Sequence, residues 1–182
     1  MKIKAYYFYF LIVLTSCSSL KFSKNENTLQ VNKLNYDQVN GIYFNNNLDT
    51  TLKDKTTLWS MLHSTNDKKY HNKAVVYKDE KLHLKFENKK TLFVKLYNGD
   101  SLIKEKRIKG KIKGGYFFGR RKVKYFGLPF IFVKVSQLRY RICKGVSNNL
   151  IVDIARENMA GIFIFFAGAN FYSTYTFERS NF

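Results

Sequence analysis

The sequence predicts an all-β protein, an antiparallel meander that closes into a small barrel and carries one short helix near its start. Three observations point there. From residue 74 onward apolar side chains recur at a period of two or near it, which is the spacing of one face of a strand. Glycine-bearing pairs, Asn98-Gly99 and Gly114-Gly115, punctuate that pattern where tight hairpins need a positive φ. Aromatic residues make up 17% of the chain and proline occurs once, a composition that favours ordered strands. Helical spacing is confined to the neighbourhood of Trp59.

The first 16 residues have the layout of a secretory leader. Lys2 and Lys4 make a positive start, residues 5–14 are apolar, and Thr15 and Ser16 are small. Ten apolar residues fall short of the roughly twenty that a spanning helix needs. The order Leu14-Thr15-Ser16-Cys17 resembles the lipobox of bacterial lipoproteins, in which the cysteine thiol takes a diacylglycerol and the chain is cut just before it. The resemblance implies lipidation of Cys17, acyl chains that hold the protein at a membrane, and Cys17 as the mature first residue. Residues 1–16 are then a signal peptide, 17–39 a polar lipidated tether, and 40–182 a single barrel-like domain.

The domain opens with a strand at 41–45, followed by a polar connection. Thr56 or Thr57 caps a short helix in which Leu58 and Leu62, four apart, share a face, and Trp59 plugs the core. Strands are expected at 75–77, 81–87 and 91–97, the last turning at Asn98-Gly99 so that Leu96 meets Ser101 and Val94 meets Ile103. Ile103 is out of phase with Ile108, so a bulge is expected between Lys104 and Arg107. Gly114-Gly115 closes the next hairpin, and the strand at 116–126 returns. After a break at Leu128-Pro129 come strands at 130–135, 138–143, 150–154, 161–166 and 172–177, with a loop at 156–158 and a turn at 167–170. The run 160–169 (AGIFIFFAGA) reads as a strand buried on one face and covered on the other, rather than as a membrane-dipping element.

A two-residue loop at Gly114-Gly115 sets Lys113 opposite Tyr116, Lys111 opposite Phe118, Lys109 opposite Arg120 and Arg107 opposite Lys122. Paired residues share a face, so Arg107, Lys109, Lys111, Arg120, Lys122 and Lys124, with Tyr116 and Phe118, form one basic ribbon face. Such a face either binds phosphates, with the two rings packing on attached chains, or is a solvated surface whose lysines protect an edge. Arg121 falls on the apolar side of this ribbon, so a bulge at Gly119 would shift the register.

Net charge is +19, and +17 once Lys2 and Lys4 leave with the leader. That balance calls for a polyanion. Export past the inner membrane sets nucleic acid aside and leaves anionic lipid headgroups or acidic envelope glycans. Lipidation of Cys17 leaves Cys143 without a disulfide partner, as a small buried side chain. His63, His71 and His83 have no zinc-site spacing, and neither a phosphate-cradling GxxxxGK[ST] loop nor a GxSxG turn occurs. Asp153 and Glu178 are the one carboxylate pair available for hydrolysis, with nothing to support it. No enzyme, cofactor or metal is expected.

The LTSC signal, the GIYFN strand, the short helix with Leu58-Trp59, and the segments GGYFFGRRKVKYFG, LIVDI and GIFIFFAG together resemble small envelope lipoproteins of the Bacteroidota. More loosely, the chain is similar to lipocalin-like barrels, with Tyr43 where those open on a tryptophan and the helix early instead of late. What this implies is a lipid-anchored protein of the outer membrane facing the periplasm, since Ser18-Ser19-Leu20-Lys21, just after Cys17, holds no acidic residue; display on the cell surface is the alternative. Its expected role is a non-enzymatic binding module for an amphipathic or anionic envelope component. The alternative is an accessory lipoprotein that docks on an envelope protein through its basic hairpin.

Overall fold

The computed structural model describes residues 22, 28–29, 35–48, 57–63, 80–128, 131–162 and 165–180. The expected leader, Cys17 and the expected strand at 75–77 lie outside the described residues. The fold is all-β, with ten strands joined antiparallel and one six-residue helix. The strands are β1 (Thr28–Leu29), β2 (Gly41–Phe44), β3 (Glu80–Asn88), β4 (Thr91–Asn98), β5 (Ser101–Lys113), β6 (Tyr116–Gly119), β7 (Lys122–Leu128), β8 (Phe132–Gly145), β9 (Leu150–Ile162) and β10 (Phe165–Phe177); the helix is α1 (Leu58–His63). Side by side they run β10-β9-β8-β6-β5-β4-β3-β2, with β1 and β7 both paired to β8.

Alternation places Leu82, Leu84 and Phe86 of β3 and Leu92, Val94 and Leu96 of β4 on one buried face. Phe117, Tyr140, Ile142, Leu150, Val152 and Phe177 continue it across the other strands. The interior is thus filled by large side chains, Tyr43 among them, where a calyx would hold a ligand. Trp59 is buried with Leu58 and Leu62, as the helical spacing predicts. Thr57 caps α1, its Oγ1 accepting from the Ser60 amide at 3.3 Å. Asn45 hangs the helix from the end of β2: its backbone and side-chain oxygens each accept an α1 amide at 2.9 Å, and its Nδ2 donates to Glu80 Oε2 at 2.6 Å.

The sheet is not closed along its length. Its two outer edges meet at one bridge, Tyr43 opposite Arg179, flanked by Phe44 N–H to Glu178 O at 3.0 Å and Ser180 N–H to Ile42 O at 2.8 Å. Residues 17–39, read as a plain tether, in fact contribute β1, which pairs with Lys144 and Gly145, and a 3-10 turn (Tyr36–Val39) that buries Val39.

Several boundaries differ from the expected ones. The β4–β5 loop is Gly99-Asp100, with Asn98 opposite Ser101, Leu96 opposite Lys104 and Val94 opposite Lys106. The bulge therefore lies at Ile103, before Lys104 instead of after it. The loop at 156–158 and the turn at 167–170 are strand: Ser136 Oγ bonds Asn158 Oδ1 at 2.8 Å and Gln137 Nε2 bonds Glu157 Oε2 at 3.2 Å, so polar residues are satisfied across the ladder. Gly114 and Gly115, at φ 55° and 82°, form the two-residue loop as expected.

Candidate functional site

The basic ribbon begins as its pairing predicts, with Lys113 opposite Tyr116 and Lys111 opposite Phe118, and the Arg120 amide donates to Lys109 O at 2.9 Å. It then ends. Phe118 is opposite Arg141 and Lys122 is opposite Leu138, so four steps along one strand answer three along the other. One extra residue between Gly119 and Lys122 turns every later side chain to the opposite face. Lys122 and Lys124 consequently share the face of Leu138, Tyr140 and Ile142, which is the inner one. Arg107 stays on the outer face opposite Phe93, stacks on that ring at 5.0 Å and binds Glu87 at 2.8 Å. The predicted pairings of Arg107 with Lys122 and of Lys109 with Arg120 as one continuous face are thus replaced by two separate cationic groups, with Arg107, Lys109 and Lys111 outside and Lys122 and Lys124 inside.

Tyr116 and Phe118 pack within the protein. Tyr116 is buried under the Arg141 guanidinium at 3.9 Å, and Phe22 lies on the same cation at 4.7 Å. Phe118 meets Phe22 edge-on at 6.0 Å. Arg141 binds Asp153 Oδ2 at 2.6 Å, and Asp153 Oδ1 accepts from Thr174 at 2.7 Å. Both oxygens of Asp153 are therefore engaged in a buried network, while Glu178 is exposed. Cys143 is buried, as its strand context predicts.

What the fold does bring together is a second set of lysines that pairing alone did not reveal. Leu96 and Val94 point inward, so their partners Lys104 and Lys106 do too, toward the end of α1. The signal was present in the sequence: Lys104, Lys106, Ile108, Gly110 and Ile112 have one parity, and the last of these are core positions. Over 101–109 β5 pairs with β4, and β7 pairs with β8, so the two strands part and leave an opening with cations on each side.

The electrostatics of this opening are set by burial and crowding. Lys122 Nζ donates to the His63 carbonyl at the last turn of α1. Its pKa is pulled down to about 8, first by burial and then by the charges of Lys106 and Lys124. His63 is pulled down to about 4 by burial and by Lys106, Lys122 and Lys104, against the raising effect of its bond to Trp59 O at 2.8 Å. Its ring stacks on Trp59 at 3.7 Å, and its buried Nε2 has no hydrogen-bond partner among the described residues. Chemically, the half-buried Lys122 and the exposed Lys104, Lys106 and Lys124 around this opening can hold an anion.

Beyond the opening, β7, β8, β9 and β10 run on as a four-stranded extension. In cross-strand order its last row is Leu128, Phe132, Ile162 and Phe165. Phe165 is 77% exposed and Leu128 66%. The strand expected to be covered is therefore largely exposed where it is described, at 160, 162, 165 and 167–169; residues 163–164 lie outside the described residues.

Among the described residues no three His, Cys, Asp or Glu side chains come together, and no helix is long and apolar enough to cross a membrane. Comparison with family models, with curated proteins and with solved structures finds no match to the chain.

Proposed function

We propose that this is a lipid-anchored protein of a bacterial envelope, held at the outer membrane through Cys17 and facing the periplasm, which binds an anionic amphipathic component without turning it over. The observation that carries the binding is the convergence of Lys104, Lys106, Lys122 and Lys124 where β5 and β7 part. Holding the half-buried Lys122 charged beside Lys106 and Lys124 costs free energy in the empty protein. An arriving phosphate or carboxylate offsets that cost and restores the ordinary pKa of Lys122. The anchor rests on Leu14-Thr15-Ser16-Cys17, and the +17 charge of the mature chain supplies long-range attraction.

The test is cosedimentation with vesicles containing phosphatidylglycerol, at two salt concentrations. Replacing Lys122 and Lys124 with Gln should weaken binding on the order of tenfold, at about 1 kcal/mol per cation near the surface. Replacing Arg107 and Lys109, on the outer face, should change it less than twofold. Equal losses from the two pairs would reduce the effect to net charge and sink the site. Feeding cells a clickable fatty acid checks the anchor, since Cys17→Ser should abolish its incorporation.

A further inference from the structure

We infer that the free end of the β7–β10 extension is a membrane-dipping element, seated in the headgroup and upper acyl region of an anionic bilayer. This rests on the proposed function and names the anionic partner as lipid. The first argument is exposure on both faces. Successive strand residues point to opposite sides, yet Tyr125 is 75% exposed and Phe126 73%. A protein docked on one face would leave the other bare, and a second copy adding at either edge would leave both bare. A hydrocarbon layer covers both faces and the turn together.

The second argument is the order of the rows. The four nearest the end comprise 125–128 of β7, 132–135 of β8, 159–162 of β9 and 165–168 of β10, and among them Lys134 is the one charged residue. Three strand rises make this zone about 10 Å deep, which matches the roughly 5–10 Å that interfacial elements bury. Next come Lys124, then Gln137 and Glu157, then Lys122 and Arg156, the level of headgroups. Glu157 is the single acidic residue in these rows.

The anchor is compatible with the same bilayer. From Phe132 to Arg141 along β8 is about 30 Å, and Phe22 packs on Arg141. Cys17 precedes Phe22 by five residues, a reach of at most about 18 Å. A sheet leaning toward the membrane brings both to one surface.

The experiment uses the full chain carrying Cys17→Ser, so that binding does not depend on acylation, with an environment-sensitive fluorophore on Phe165→Cys or, as a control turn, Asp100→Cys; Cys143 is buried and stays unlabelled. With phosphatidylglycerol vesicles the label at 165 should shift to the blue and be quenched by spin-labelled lipid, and the label at 100 should not. Phe165→Ser combined with Leu128→Ser should weaken vesicle binding on the order of tenfold, with an unchanged circular dichroism spectrum. If the protein binds vesicles while the label at 165 stays in water, the dipping element is wrong and the lysine site stands. If it does not bind at all, both are wrong. A blue shift without vesicles assigns the end to self-association and overturns the inference.

Discussion

Two halves of the same three strands, β8, β9 and β10, behave as different materials. Toward Lys144 and Phe177 the ladder is covered on both faces: Tyr140, Ile142, Val152 and Phe177 enter the core, and Arg141 and Asp153 lie on the other side under Tyr116 and Phe22. Toward Phe132 and Phe165 the same ladder continues unbroken but less covered: Phe132, Val133, Val135 and Met159 are half-buried, and Ile162 and Phe165 are exposed. Backbone pairing is therefore not what distinguishes the halves; burial is. Stability should reside in one half and surface contact in the other.

The largest effect should come from the covered half. Asp153→Ala removes the carboxylate that pairs with the buried Arg141 and should cost about 3–5 kcal/mol in urea unfolding; a loss below 1 kcal/mol would erase the contrast between the halves. A smaller effect comes from His63, held neutral at the end of α1. Its folded pKa of about 4 lies below the ordinary 6.5, so its contribution is complete above pH 6.5 and is lost as pH falls through 4. That loss should be on the order of 2 kcal/mol, and His63→Phe should flatten the slope of stability against pH in this window. The smallest belongs to the less covered half, where Phe126→Ser should change unfolding free energy by less than about 0.5 kcal/mol.

Local pattern made the strands, the Gly114-Gly115 loop, the capped helix and the buried Trp59 and Cys143 legible in the sequence. These depend on neighbours within a few residues. The candidate site was misread because two single-residue irregularities decide it: the bulge at Ile103 and the extra residue before Lys122 each exchange inside for outside for all that follows. Arg121, a charge on an apolar face of the predicted ribbon, marked the second; the shared parity of Lys104, Lys106 and Ile108 marked the first. The run at 160–169 was misread for another reason. Apolar alternation reports that a strand avoids water, but whether a neighbour exists to shield it depends on residues 128 and 132, which lie some thirty positions away.

The meeting of Tyr43 with Arg179 sets a timing rule for the molecule. Tyr43 and Arg179, which must touch, are far apart along the chain, so their seam forms only after the slow search that distant partners impose.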